Sequence, residues 1–222
     1  CMNRRWRLHR PLLVACLAAN KMLDDGYVSL VPSDDQKNWQ DHIPGENEGG
    51  IFQWIEHCCE RNADMDSWIT PNKDMIQNMK PLYLDTEDLH TNRARFTWRP
   101  GYLYSQSLVS VVTETNYFTS FHKDNTRERS IFFSEKIFKP IAFQHPFIVV
   151  STPNFLTSLR AIGYRTFSGL IDESYDNEQD DFKRMAMVIK EIQRLSKLTE
   201  QEKIEFCEKA KLICEHNRRI LT

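Results

Sequence analysis

The sequence has no long apolar run. None of its hydrophobic stretches approaches the roughly 20 residues that span a bilayer, and no secretory leader pattern is visible at its start. It has no dominant charge: 29 Lys and Arg stand against 31 Asp and Glu, a net charge of -2. That balance argues against a general affinity for nucleic acid or an anionic membrane surface. Repeats and low-complexity segments are absent. So is any CxxC, and the adjacent Cys58-Cys59 does not match a zinc-ligand spacing. The six cysteines are Cys1, Cys16, Cys58, Cys59, Cys207 and Cys214. Cys16, Cys207 and Cys214 fall on apolar helical faces, where they are expected as small buried hydrophobes rather than disulfide partners. A reducing, cytoplasmic compartment follows. The first residue is Cys1 rather than Met, as in a fragment.

What is present suits a globular domain. The chain has 222 residues, 41% hydrophobic and 27% charged, enough to bury a sizeable core as one domain over 1–222. "CMNRRWRLHRPLLVACLAANKMLDDGYVSLV" reads as a β-α-β unit. Cys1 to Asn3 are a strand stub, Pro11 is placed as the first helical residue with Arg10 near the N-cap, and Gly26 is placed as the stop. Leu12, Leu13, Cys16 and Leu17 give the helix its apolar face. Residues 32 to about 105 read as a mainly helical and loop insertion, with "IFQWIEHCCERN" and "SWITPNKDMIQNMK" as helices and "PLYLD" as an edge strand. Strand patterning returns in "SLVSVVTET", "FIVVS" and "YRTF". Helices are expected over Ser134 to about Phe143 and in "NFLTSLRAIG", closed by Gly163. In the tail, Phe182, Met185, Ile189 and Ile192 share a face, and Thr199 with Glu202 forms a capping box. Strands alternating with helices predict an α/β fold: a Rossmann-like, mostly parallel sheet with helices on both faces, plus a helical tail. Such sheets bind ligands at the C-terminal strand edge.

Two strand-to-helix loops carry candidate chemistry. "NRRWRLHR" feeds Arg4, Arg5, Arg7, His9 and Arg10 into a helix N-terminus, where unpaired amides and the dipole favour an anion such as phosphate. A solvated basic turn is the alternative. In "FFSEKIFKPIAFQHPFIVV", Ser134 is the N-cap candidate and Glu135 suits the first turn. Lys136 is the misfit, a cation at the positive end of a dipole, and a bound anion would relieve it. Glu135, repelled by phosphate, would instead accept from sugar hydroxyls. Glu114 ends the preceding strand and belongs at the same edge. Pro140 cannot donate to the Lys136 carbonyl and is expected to kink the helix.

"TETN" followed by "SEKIFKPIAFQHPFIVV" resembles the donor-binding motif of fucosyltransferase-type glycosyltransferases of the GT-B architecture. "CMNRRWRLHR", "MLDDGYVSL" and "LIDESYD" are similar to segments of uncharacterised glycosyltransferase-like proteins of viruses. The resemblance covers most of the chain outside roughly 32–105. It implies a nucleotide-sugar donor lobe with Ser134 among the donor-binding residues, in which Glu135 binds the ribose and Lys136 the phosphates. Arg5 or Arg10 would neutralise the pyrophosphate, and Glu114 would support the sugar or the loop. The partners implied are a nucleotide-sugar donor and a glycan or other hydroxyl acceptor. No metal and no cofactor besides the donor substrate are implied, and a viral chain would work in the host cytoplasm. The chain departs from the motif at Phe132, where a tyrosine is usual, in its "ETN" order and in a longer loop, so base and sugar are left open.

In that architecture the acceptor lobe comes first. Cys1 already lies in the donor lobe's first strand, so the acceptor lobe is expected to be missing or replaced by the 32–105 insertion. The catalytic base is unassigned, with His42, Glu46 and Asp64 as candidates. The Asp64-Met65-Asp66 triplet resembles the metal-binding acid pair of the other large glycosyltransferase architecture, but it follows no strand. Two further alternatives are a non-catalytic nucleotide-sugar-binding or virion-associated structural domain, and sugar transfer to modified DNA bases. The second requires a basic stripe that the charge distribution does not supply.

Overall fold

In the computed structural model, residues 2–3, 7–30, 50–79, 82, 101–119 and 130–222 are described. Tertiary contacts divide the chain into two units, Cys1–Leu84 and Asp85–Thr222. Each contains one parallel β-α-β unit.

In the first unit, β1 (Met2–Asn3) pairs in parallel with β2 (Ser29–Leu30), in the register Met2↔Ser29 and Asn3↔Leu30. Leu30 also exchanges backbone hydrogen bonds with Leu82 at 3.0 and 3.2 Å, which places part of the expected "PLYLD" strand. Helix α1 (His9–Ala19) joins β1 to β2. It starts two residues earlier than the sequence suggests, so Arg10 and Pro11 both lie inside the first turn. Pro11 is tolerated there because that turn's N–H groups have no intrahelical acceptor. The helix buries every residue from His9 to Ala18 rather than one face. A run of Leu, Val, Ala and Cys can be enclosed on all sides without stranding polar groups.

Gly26 is not the stop of α1. The helix ends at Asn20, with Lys21 left-handed (φ 58°). Lys21 N–H donates to Ala18 and Met22 N–H to Leu17, both at 2.9 Å, and Met22 is buried. This is a Schellman closure made without glycine. Helices α2 (Gly50–Arg61), α3 (Ala63–Ile69) and α4 (Lys73–Gln77) lie in the expected insertion. Asn62 ends α2 and caps α3 by accepting from Met65 N–H at 3.1 Å. Pro71 lies in a 3-10 turn between α3 and α4, so "SWITPNKDMIQNMK" is split in two. Lys73 pairs with Glu56 across this helical cluster.

In the second unit, α5 (Gly101–Ser105) precedes β3 (Ser110–Thr113). Helix α6 (Glu135–Ala142) leads to β4 (Phe147–Val150), which is parallel to β3 from Ser110↔Phe147 to Thr113↔Val150. All four residues of β4 are buried, as its unbroken apolar composition suggests. Then follow α7 (Phe155–Ala161), a 3-10 turn at Ser174–Asn177, α8 (Asp181–Ser196) and α9 (Glu200–Leu221). Gly163 closes α7 at φ 97° and Thr199 with Glu202 forms the capping box, both as the sequence suggests. Phe182, Met185 and Ile189 are buried on α8.

The fold is mixed α/β, but its sheets are small. Among the described residues they stop at two parallel pairs, one in each unit. Side chains satisfy the backbone where further strands were expected. Val149 N–H of β4 donates to the Tyr175 hydroxyl at 3.3 Å. "YRTF" is not a strand: the Asn217 side chain of α9 takes Arg165 N–H at 2.7 Å and donates to Arg165 C=O at 2.8 Å. A carboxamide offers the donor and acceptor that a neighbouring strand would offer. The described cysteines are free thiols. Cys16, Cys58, Cys59 and Cys214 are buried, whereas Cys207 is exposed, contrary to its expected place on an apolar face. Burial pushes the Cys59 thiol up to about 11 and Cys214 up to about 12, so both stay protonated and inert.

Candidate functional site

The site at the start of α6 is built by three segments. Glu114, the residue after β3, extends the ladder by donating its N–H to Val150 C=O at 3.0 Å. Its side chain is 0% exposed and points at the start of α6. A buried carboxylate needs hydrogen bonds and a counter-charge. Glu114 Oε2 accepts from the Ser134 hydroxyl at 2.6 Å and from Thr115 N–H at 3.2 Å, and Oε1 accepts from Ser134 N–H at 3.4 Å. Lys136 Nζ lies 3.9 Å from Oε2. Ser134 is extended (φ -103°, ψ 176°), and its hydroxyl oxygen accepts from Lys136 N–H at 3.2 Å, the N-cap expected from the sequence.

The lysine that reads as a misfit is thereby accommodated. Its Nζ donates to Ser134 Oγ at 3.0 Å and to Thr115 Oγ1 at 3.4 Å, and lies 3.9 Å from Glu135 Oε1. The chain supplies the compensating anion itself, in Glu114. Lys136 keeps 28% of its side-chain surface open and Glu135 keeps 44%, so both still reach solvent. The cluster can therefore present an ammonium, an outer carboxylate and a helix N-terminus to an incoming molecule. Phe132 is exposed two residues upstream, while Phe133 packs edge-on against Phe155 at 5.0 Å.

Pro140 lies inside α6, which continues to Ala142. Its carbonyl accepts from His145 N–H at 2.9 Å, while Gln144 (φ 52°) donates to Ile141 at 3.1 Å. The helix thus ends in the same closure as α1. The His145 ring is buried, with Nδ1 2.9 Å from Ser110 Oγ and Nε2 2.7 Å from Ser107 C=O. Burial holds it below the usual histidine range, against the opposing pull of backbone hydrogen bonds.

Glu114, Ser134, Glu135 and Lys136 come together in the second unit. Arg10 belongs to the first unit and is 2% exposed, and its N–H donates to Arg7 C=O at 2.9 Å. Arg5, His42 and Glu46 lie outside the described residues. Asp64 and Asp66 sit in the first turn of α3, where acidic side chains suit the dipole. Asp66 accepts from the Thr70 hydroxyl at 2.6 Å.

Sequence reading missed Arg184 and Asp181. They form a buried ion pair at 2.6 Å in the first turn of α8, and Arg184 lies 4.5 Å from the centre of the Tyr117 ring. An opposite-charge pair at i,i+3 beside Phe182 and Met185, on the stripe meant for the core, is the signal that could have found them. Asp176 of the "LIDESYD" segment is also buried. It caps α7 from outside, accepting from Leu156 N–H at 2.7 Å and from Thr157 N–H and hydroxyl at 2.9 Å. That gives the segment a structural task.

No family model, curated protein or solved structure matches the chain.

Proposed function

We propose that the chain is a glycosyltransferase donor-binding domain of Rossmann-like, GT-B type, in which the Glu114–Lys136 cluster receives a nucleotide-sugar. The reaction would move a hexosyl or fucosyl-type group to an acceptor hydroxyl. The observation that carries this reading is Lys136. It is held by Ser134 and Thr115 at the start of α6, beside the C-terminal end of a parallel pair, with its ammonium still open to solvent. A departing diphosphate gains negative charge, and a lysine with a helix N-terminus stabilises that charge without reorganising. The outer carboxylate of Glu135 is free to accept from ribose hydroxyls. Glu114 fixes Lys136 and also repels a diphosphate, so the ammonium and the amides at the start of α6 have to outweigh that repulsion. The identity of base, sugar and acceptor is left open.

A second reading is a non-catalytic nucleotide-sugar-binding or structural domain, associated with a virion. It is favoured by the internal balance of Lys136 against Glu114, which leaves the cluster satisfied with no ligand. One panel separates the two. Nucleoside diphosphates and nucleotide-sugars at about 100 times their Kd should stabilise the protein by about 2.7 kcal/mol, seen as a rise in Tm. Lys136→Met should remove that rise. Turnover of a donor that binds marks an enzyme, and binding without turnover marks the second reading. If no nucleotide raises Tm, the donor-site reading fails.

A further inference from the structure

Among the described residues, Arg184 is the largest fully buried side chain, at 1% exposure. Its guanidinium meets four acceptors from four places. Nε donates to Ser151 C=O at 3.0 Å, just after β4, and Nη1 to Glu178 C=O at 2.9 Å. Nη2 donates to Tyr117 C=O at 2.7 Å, in the segment after β3, and to Asp181 Oδ1 at 2.6 Å. Asp181 completes the clamp. Its carboxylate accepts from Thr119 N–H at 2.9 Å and from the Thr119 hydroxyl at 3.0 Å, and its carbonyl accepts from the Tyr117 hydroxyl at 2.6 Å. Ser151 Oγ donates to Asn116 C=O at 3.3 Å, tying the two post-strand segments directly.

A buried ion pair is weak evidence for stability, since well-packed apolar residues of the same volume often do as well. What apolar residues cannot do is hold three carbonyls of separate segments at fixed angles. A planar fork of donors can, and a lysine cannot. The segment so held, Tyr117–Thr119, begins three residues after Glu114 and two after Thr115, whose hydroxyl accepts from Lys136. We infer that Arg184 with Asp181 is a positioning pair for the candidate site, fixing the segment after β3 so that Glu114 and Thr115 present Lys136 in one arrangement. The consequence for ligand binding rests on the donor-site reading above, but the consequence for the geometry of Glu114 does not.

The test compares Arg184→Lys, Tyr117→Phe and a control, Leu195→Ala, about 16 Å further along α8. Tyr117→Phe removes only one hydroxyl and decides the matter should Arg184→Lys not fold. At pH 7, the carboxyl carbon resonance of Glu114 should move in Arg184→Lys and, less, in Tyr117→Phe. Exchange of the Thr119 and Lys136 amides should quicken about tenfold while amides in α9 keep their rates. GDP or UDP, whichever the wild type binds, should bind about tenfold more weakly. The control should lower Tm without moving the Glu114 resonance. If the wild type binds neither nucleotide but the Glu114 resonance and local exchange respond, the donor reading falls and the positioning role stands. If both variants behave like Leu195→Ala, losing Tm alone, Arg184 is only structural and the inference is overturned.

Discussion

Two helices of this chain hold the same place in their β-α-β units and end in the same way, yet do different work. Both α1 and α6 follow the first strand of a parallel β-α-β unit, and both carry a cation as their second residue, Arg10 and Lys136. Helix α1 has no side-chain cap and no acidic residue in its first turn, and Arg10 is closed off from solvent. Helix α6 has Ser134 as its cap, Glu135 in the first turn, the buried Glu114 behind it, and a lysine that solvent can reach. A cation at a helix start is thus not a site by itself. The neighbours decide whether it is sealed into the interior or held open at a strand edge.

Four substitutions test that contrast. The largest effect is expected in α1, where Leu13→Ala should cost about 3 kcal/mol in urea unfolding, because the helix is enclosed on every side and cannot collapse onto the cavity. If the loss is under about 1 kcal/mol, the helix is not packed all round. Next comes the cap that α6 has and α1 lacks. Ser134→Ala should cost about 1–2 kcal/mol, losing the bond from Lys136 N–H and the hydroxyl on Glu114. An unchanged urea midpoint would mean that Ser134 does not organise the cluster.

The third prediction uses the helix ends. The closing position holds Met22 in α1 and His145 in α6. His145 is buried neutral, with its folded pKa held below its unfolded value of about 6.5. Its contribution to stability is complete above that value and is lost as pH falls toward the folded pKa, with a slope of at most about 1.4 kcal/mol per pH unit. Acidification from pH 7 should therefore lower the protection factors of amides around β3 and β4, and His145→Gln should flatten that response. A pH profile identical in wild type and His145→Gln would remove His145 from the account. The smallest effect belongs to Glu135, which solvent screens. Glu135→Ala should change stability by less than about 0.5 kcal/mol while abolishing any nucleotide-induced rise in Tm. A retained rise would strip Glu135 of its proposed ribose contact.

Much of the local structure was legible. Valine and isoleucine runs marked β3 and β4, and Ser134, Thr199 and Gly163 marked helix boundaries through capping chemistry that acts over a few residues. The stop of α1 was misplaced because Gly26 is the obvious candidate, whereas Lys21 takes the left-handed turn and Met22 anchors it in the core. "YRTF" was misread because its alternation suits a strand, while its hydrogen-bond partner is an asparagine more than fifty residues away. In the site, Ser134, Glu135, Lys136 and Glu114 could be picked out one by one. Their mutual arrangement could not, nor could the part played by Arg184.

The amino-acid sequence marks the helix boundaries at Ser134, Gly163 and Thr199, because capping and a glycine stop act over a few residues. It also determined that Lys136 would sit against a helix dipole. What resolves that conflict comes from strand pairing. A carboxylate twenty-two residues away is brought to the start of α6 by strand pairing and held there, buried, by the serine and lysine it meets. Charge compensation inside a fold depends on distances through space, and spacing along the chain does not contain them.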